Sequence, residues 1–550
     1  MKTKKVISSI LASTVALSTI IGLAGCGTEK KPDTEQTLEI CALDAGYGTE
    51  WLTNIIDLFK QQDWVKAKYP ELNILTPTIN DDQKFIENRI KAGGDNNTID
   101  LMFGTNLYSY AGKDSTGKEW LLDLTNILYD QKVPGEDVYY KDKLNDSYLS
   151  SFKYRDVTDS NAVDQWFFAP WSSGMCGFLY NEEILESLDI AVPNTTDELM
   201  AACAEIKAEY KVEGASTEFY CFIQGKDESY WSYPFNIWWA QYEGIEGYKN
   251  FYNGIDEGAY SVKIFEQQGR VKALEVYEDI LDYEKGYLNP SSSTYEFMTS
   301  QTAFLQGLAA FNVNGDWFAR EMEGTSNRML SNGQTPATIK MMKTPIISSI
   351  VEKLEYRNGN DYMSDEMLSS VIAAIDAGEE GYEGVSAADF DKLKEARTVL
   401  YSIGPNHFSV IPNYAKGKDV AVDFLLFMAT DIAQEAYIKG TKGADLPFDY
   451  NWNDLQTRKP DVYNSISVFQ HSRLDYVNSK SYTPYTLPMP NSFPLVKFGS
   501  LMPFVETNYY ETFAKHGNTK TPKDFYDETL RIWTAGKFSS ALAASGIEAR

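Results

Sequence analysis

Between residues 37 and 105 the chain alternates short apolar runs with helical patterns, and this alternation limits the possible folds more than any other feature. "TLEICALDAG" (37–46) reads as a strand and its exit loop, because an apolar run meets a glycine turn. "EWLTNIIDLFKQQ" follows, with Trp51, Leu52, Ile55, Ile56 and Phe59 at the spacing of one helix face. The order repeats: "ELNILTPTI" precedes the helical "DDQKFIENRIKAGG", which leads into "TIDLMFGTN", another apolar strand with a polar exit loop. Strand-then-helix order predicts an α/β domain around a largely parallel sheet.

A second α/β series begins near "WFFAPWSSGMCGFLYN" (166–181). The next helix, in "VPNTTDELMAACAEIKAEY", is marked by Pro193 and by a capping box of Thr195 with Glu198. "LAAFNVNGDW" (308–317) reads as a strand and turn, and "TIKMMKTPII" (338–347) as a further strand. Residues 357–400 are acidic and contain two modest helical patterns, before "SIGPNHFSVIP" and the strongly helical "DVAVDFLLFMATDIAQEAYI". No repeat of fixed period runs through the chain.

With 550 residues, 43% of them hydrophobic and 14% aromatic, the chain can bury two substantial cores and is not disordered. Acidic residues outnumber basic ones 78 to 50, for a net charge of −28. Nucleic acid and anionic lipid surfaces are repelled by such a balance, and an anionic cargo is disfavoured. The three histidines, His407, His471 and His516, are far apart, so neither a transition-metal cargo nor a metal or other cofactor site is expected. "DYNWND" (449–454) fails as a calcium loop, since its turn position is Asp454 and its twelfth position is Pro460.

The chain opens with Lys2, Lys4 and Lys5 and an uncharged apolar stretch from Val6 to Leu23, the layout of a secretory signal. A membrane span is the competing reading, but the stretch is rich in Ser, Thr, Gly and Ala. "LAGC" (23–26) resembles a bacterial lipobox, in which the cysteine sulfur is alkylated by diacylglycerol and the chain is cut just before it. Residues 1–25 would then be a lipoprotein signal peptide, Cys26 the lipid-bearing first residue and 26–36 a flexible linker. Two or three acyl chains, palmitate among them, would tether the protein stably. The other cysteines, Cys41, Cys176, Cys203 and Cys221, number enough for two bridges, but buried free thiols suit a chain of this size better.

In this order, the first strand leading into "EWL", "YPELNI", "AGGDNNTIDLMFG", "WLLDLTNIL", "FFAPWSSGMCGFLYNEEIL", "VPNTTDEL", "FLQGLAAFNVNGDW" and "SVIPNYAKGKDVAVDFLLFMA" resemble the extracellular solute-binding proteins of ATP-binding-cassette importers, family 1, which includes many sugar and oligosaccharide binders. The resemblance covers about 37 to 440. It implies an α/β, two-lobed periplasmic-binding-protein-like fold of type II, each lobe a sheet flanked by helices, with cargo in the cleft between lobes. It places the N-terminal lobe at 37–164 plus 343–407 and the C-terminal lobe at 165–342 plus 408–550. The acidic segment at 357–400 looks like an insertion. The implied partners are a carbohydrate ligand, permease subunits and, through the lipid on Cys26, the outer face of a bacterial cell membrane, for a monomeric, non-enzymatic protein.

Ligands of open α/β sheets lie off the carboxyl ends of strands, so exit loops supply the candidate contacts. "DAGYGTEW" offers Asp44 as a hydrogen-bond acceptor and Tyr47 as a stacking ring, while Trp51 shares the apolar helix stripe and reads as core. "FGTN" offers Thr105 and Asn106, which could equally cap the next segment. In the presumed second lobe, "APWSSG" offers Trp171, and "NVNGDW" offers Asp316 and Trp317. "YWSYPFNIWW" (230–239) packs six aromatics into ten residues, and an alternating reading puts Trp231 and Tyr233 on one face. Aromatic platforms suit the C–H face of a sugar, and carboxylates and amides suit its hydroxyl rim.

Other readings use the same residues: an exported glycoside-active enzyme, a surface carbohydrate binder not coupled to transport, or a transporter-coupled binder of peptides or other small polar solutes. The first needs two carboxylates at a defined separation, and no "GxSxG", "HExxH" or phosphate loop supports catalysis.

Overall fold

The computed structural model describes residues 34–547, apart from 81, 95–96, 157–160, 212–218, 227, 478–481, 491–492 and 498–511. Cys26 and the signal and lipobox readings therefore lie outside the described residues.

The first α/β series runs β1 (Ile40–Ala42), α1 (Glu50–Gln61), β2 (Thr78–Ile79), α2 (Gln83–Ala92) and β3 (Leu101–Thr105). All five apolar residues of the α1 stripe, Trp51 to Phe59, are buried. Asp82 starts α2 by accepting the Lys84 N–H through its side chain, the bond that an N-cap carboxylate makes to an otherwise unpartnered helix donor. The chain then reaches β4 (Ala169–Pro170) and enters the second series: β5 (Met175–Asn181), α3 (Thr196–Glu209), β6 (Tyr220–Phe222), α4 (Ser232–Glu243), α5 (Gly269–Leu281), α6 (Phe297–Leu305), β7 (Ala309–Gly315), α7 (Phe318–Ser331) and β8 (Ile339–Met342). Next come α8 (Asp365–Ala377), α9 (Ala387–Thr398), β9 (Val399–Ser402), β10 (His407–Val410), α10 (Lys418–Met428), α11 (Asp431–Thr441), α12 (Val468–Val477) and β11 (Tyr485–Thr486). The long helical run at 419–438 is thus two helices, broken where Thr430 caps the second by accepting the Ala433 N–H.

Two mixed sheets result. The first has the order β2-β1-β3-β10-β4, and the second β6-β7-β5-β9-β11, with β8 also on β5. Strands β1, β2 and β3 are parallel, as the sequence pattern predicts. The sheets are less parallel than expected overall: β10 runs antiparallel to β3 and β4, and β5 runs antiparallel to β7, β8 and β9. The reversed strands, β5 and β10, each come directly after a point where the chain passes between sheets.

The sheets also divide the chain differently from the division that the resemblance implied. Strand β9, expected in the first lobe, pairs with β5 of the second sheet, and β10, all but His407 of which was expected in the second lobe, pairs with β3 of the first. Helix α9, within the acidic segment, packs on α4 of the second lobe, and α11 packs on α1 of the first. One buried residue ties the acidic segment to the second sheet's helices. Arg397 donates to Asp376 Oδ2 at 2.7 Å and to Asn194 Oδ1 at 3.2 Å, pinning α8 and α9 to the start of α3. The cap of α3 is also offset from expectation: Thr195 accepts the Glu198 N–H, but the Glu198 carboxylate accepts the N–H of Asn194.

The aromatic stretch 230–239 is helical, so the alternating reading of its faces does not apply. A 3-10 turn (Glu228–Trp231) feeds α4, whose residues 233–242 are all buried. A helix buried on all sides needs no amphipathic stripe. Trp238 donates its Nε1–H to the Pro345 carbonyl at 3.0 Å and Trp239 to Gln267 Oε1 at 3.2 Å. These indole bonds let two large rings sit in the core with their polar atoms satisfied. Cys41, Cys176, Cys203 and Cys221 are buried free thiols.

Candidate functional site

A cavity of about 750 Å³ opens where the two sheets face each other. Its walls come from the carboxyl ends of β1, β3, β7 and β9 and from the start of β10, whose antiparallel direction brings that end to the same rim. The first lobe supplies polar groups: Asp44, Gln83, Thr105 and His407. The second supplies rings and apolar surface, Tyr230, Tyr233, Phe297, Met298 and Trp317, together with Arg320 and Glu321.

The loop after β1 shapes the first wall. Asp44 Oδ1 accepts the Gly48 N–H at 2.8 Å, and its carbonyl accepts the Tyr47 N–H at 3.0 Å. The turn brings Gly46 (φ 82°) and Gly48 (φ 70°) onto α7 of the other lobe. A Cβ on Gly46 would stand 3.2 Å from the Trp317 Cβ, and one on Gly48 only 2.6 Å from Arg320 Nε. Glycine is required here both by the backbone conformation and by the close approach. At the β3 exit, Thr105 gives its N–H and hydroxyl to Gln83 Oε1 at 3.1 and 3.2 Å.

Of the residues expected from the sequence, Asp44, Thr105, Tyr233 and Trp317 line the cavity. Tyr233 stacks on Tyr401 (5.7 Å, 26°) and meets Tyr230 at 5.5 Å. Four others lie behind the walls. Tyr47 is fully buried and donates its hydroxyl to Asp316 Oδ1 at 2.7 Å, itself fully buried. Trp171 stacks between Trp51 (6.0 Å, 16°) and His407 (4.8 Å, 18°), with its Nε1–H given to the Gly104 carbonyl. Trp231 packs into the second core against Phe222 and Tyr277. Positions 231 and 233 sit about 200° apart around a helix, which is why only one of the pair reaches the cleft. Asn106, with φ 53°, lies outside the cavity and accepts from Asn406 Nδ2 at 2.7 Å, tying the β3 exit to the turn before β10.

Burial dominates the electrostatics. It pushes His407 down to about 3, so the imidazole is neutral, and Nδ1 is hydrogen-bonded to the Ser172 hydroxyl. Burial raises Asp316 to about 7 against the opposing charge of Arg473. It also raises Glu321 to about 7, with the charge of Asp44 adding to the effect. Arg320 is held by Glu323 and, across the lobes, by Glu50 Oε2 at 3.6 Å.

Gln83, Tyr230, His407, Arg320 and Glu321 were not singled out from the sequence. A signal existed for two of them, since Arg320 and Glu321 stand three and four residues after Trp317, the helical spacing of one face. His407 had none, because nothing local announces that β10 runs antiparallel. Among the described residues no group of His, Cys, Asp and Glu is arranged to hold a metal ion.

The model of the bacterial extracellular solute-binding protein family matches residues 45–435. The chain belongs to that family. Solved solute-binding structures cover nearly all of it. One from work on xylan utilization by Caldanaerobius polysaccharolyticus is 15% identical over 90% of this chain and 99% of that one, with a TM-score of 0.52. The solute-binding protein RafE in complex with raffinose is 13% identical over 90% and 100%, with a TM-score of 0.52. The GacH receptor of Streptomyces glaucescens, solved free and with acarbose, is 15% identical over 90% and 97%, with a TM-score of 0.51. At these identities the likeness establishes the two-lobed fold. No curated protein sequence matches the chain. Among the described residues no helix is long and apolar enough to cross a membrane.

Proposed function

We propose that this solute-binding protein is the cargo receptor of an ATP-binding-cassette importer, tethered by lipid on Cys26 to the outer face of a bacterial cell membrane. It captures a carbohydrate, an oligosaccharide, between its lobes and presents it to permease subunits. The observation that carries the reading is the asymmetry of the cleft: an aromatic wall of Tyr230, Tyr233 and Trp317 faces a hydrogen-bonding wall of Asp44, Gln83 and Thr105. A pyranose ring has the same two aspects, a C–H face and a hydroxyl rim. The volume, about 750 Å³, falls in the range of about 300–1,000 Å³ usual for ligand sites, and suits more than a single small ring. The sugar ligands of RafE and GacH agree with it.

Within this reading we assign 37–170 plus 404–466 to the first lobe and 171–403 plus 467–547 to the second, joined by three crossings. Cargo that touches both lobes binds the closed form better and shifts the population toward it. The protein is a binder without catalytic chemistry.

A thermal-shift panel on the soluble form beginning after Cys26, with raffinose, xylo-oligosaccharides, acarbose and short peptides, tests the cargo class. At least one sugar should raise the melting temperature and be recovered intact after incubation. A shift from peptides with none from sugars would overturn the carbohydrate reading, and shortened sugars would overturn the absence of catalysis. Cys26→Ser should release the protein from the membrane fraction.

A further inference from the structure

Where the lobes meet beneath the cleft, the first-lobe loop 44–48 covers two carboxyl groups of the second lobe. Asp316 stands at the end of β7, fully buried, with Oδ1 bonded to the Tyr47 hydroxyl across the lobe boundary and Oδ2 without a partner among the described residues. Glu321, one helical turn further on, comes within reach of Gly46: its Oε1 would lie 3.4 Å from a Cβ there, and its Oε2 is buried without a partner among the described residues. We propose that this contact is a proton-linked clasp, in which Tyr47, Asp316 and Glu321 act as positioning residues and closure of the lobes takes up protons on the two carboxyls. The inference rests on the receptor reading only in that the lobes open and close.

The surroundings of each acid support it. Asp316 is faced by Tyr47 from the loop after β1, Tyr437 from α11, Tyr148, Cys176 from β5, Asp445 and Arg473 from α12. The one cation of that set is already engaged: Arg473 is ion-paired through Nη1 with Asp445 Oδ1 at 2.9 Å and donates Nη2–H to the Gly443 carbonyl at 2.8 Å and Nε–H to Gln470 Oε1 at 2.5 Å. Glu321 is faced by the Asp44 carboxylate from the first lobe and flanked by Gln301 of α6. Its neighbour Arg320 is taken by Glu50 and Glu323. A buried carboxylate with an unsatisfied oxygen and no free cation is costly when charged, so each acid holds its proton to a higher pH in the closed form than when opening returns it to water.

The linkage has a definite sign. A group titrating near 7 when closed and near its ordinary value of about 4 when open favours closure below neutrality, and the ratio of closed to open falls about tenfold between pH 6 and pH 8 for each acid. With two acids the fall approaches about a hundredfold.

The experiment uses the full-length protein in detergent, without sugar, carrying spin labels at exposed sites of the two lobes, Tyr139→Cys and Tyr260→Cys. Interlobe distance distributions are recorded from pH 5.5 to 8.5. The short-distance population should shrink as pH rises through 7, and Asp316→Asn and Glu321→Gln should each remove about half of the logarithmic slope. A pH-independent distribution, or a slope unchanged in both variants, overturns the proposal. If Asp316→Asn does not fold, Tyr47→Phe serves: the closed population at pH 6 should fall, and an unaltered one counts against the clasp. Calorimetry with raffinose and xylo-oligosaccharides on the same samples reports on the carbohydrate reading separately, because the clasp is read without them.

Discussion

Trp317 was expected to be a platform for cargo, yet only 5% of its surface is exposed. Its rings meet Tyr47, Tyr230 and Tyr233, each with centroids 6.4 Å away. An aromatic side chain buries about 150–250 Å² in full, so the exposed strip is on the order of 10 Å². At 25 cal/mol/Å² that strip contributes roughly 0.3 kcal/mol, less than about a twofold change in affinity. Tyr230 is only half-buried, and removing its ring from the cleft wall should cost about 0.5–1.5 kcal/mol, or about 2- to 13-fold. Trp317→Phe should therefore weaken binding less than about threefold while lowering the melting temperature, and Trp317→Ala should destabilise the fold by about 3–5 kcal/mol. Tyr230→Ala should do the opposite, weakening binding by about tenfold, or 1.4 kcal/mol, with little effect on stability. Titration calorimetry with the panel sugar giving the largest thermal shift, set beside thermal unfolding without sugar, separates the two. A loss above tenfold in Trp317→Phe, with Tyr230→Ala within twofold of wild type, would refute the reasoning and make the indole the platform.

Two further outcomes follow from buried charges. Arg397→Met leaves Asp376 half-buried with Lys343 (2.8 Å) as its remaining cation and should cost about 3–5 kcal/mol in chemical denaturation; adding Asp376→Asn should recover part of it, and a single-variant loss below about 1 kcal/mol would contradict the network. His407 is held down at about 3 by burial, so the unfolded chain, with an ordinary value near 6.5, binds the extra proton. Its contribution is complete above pH 6.5 and is lost as pH falls toward 3, by up to about 1.4 kcal/mol per unit. The raised values of Asp316 and Glu321 act oppositely, adding stability as pH falls from about 7. As pH falls from 7 to 4.5 the melting temperature of His407→Gln should therefore gain on that of wild type, and parallel curves would count against a buried neutral imidazole.

Local patterns were readable wherever one element decides them. The α1 stripe, the Thr195 cap and the two helices of 357–400 depend on residues within a few positions, and the structure has them. Candidate contacts taken from strand exits fared according to distance in sequence. Asp44 and Thr105 line the cleft because a loop off a strand end must face the rim. Tyr47, Trp171 and Asp316, also at strand exits, turned inward because each met a partner far along the chain, at 316, 407 and 47 respectively.

The sequence by itself determined the α/β class, a strongly acidic balance and an aromatic surplus at 230–239, and its ordered stretches carried the resemblance to the family. These follow from periodicity, composition and order along the chain. Only the tertiary structure decided which sheet takes β9 and which takes β10, which rings face the cleft, and that Asp316 is buried against Tyr47. The reason is physical: strand direction and burial are set by pairings between residues hundreds of positions apart, such as His407 with Thr105 and Tyr47 with Asp316. The same aromatic or carboxyl side chain serves as core or as contact according to what is packed against it.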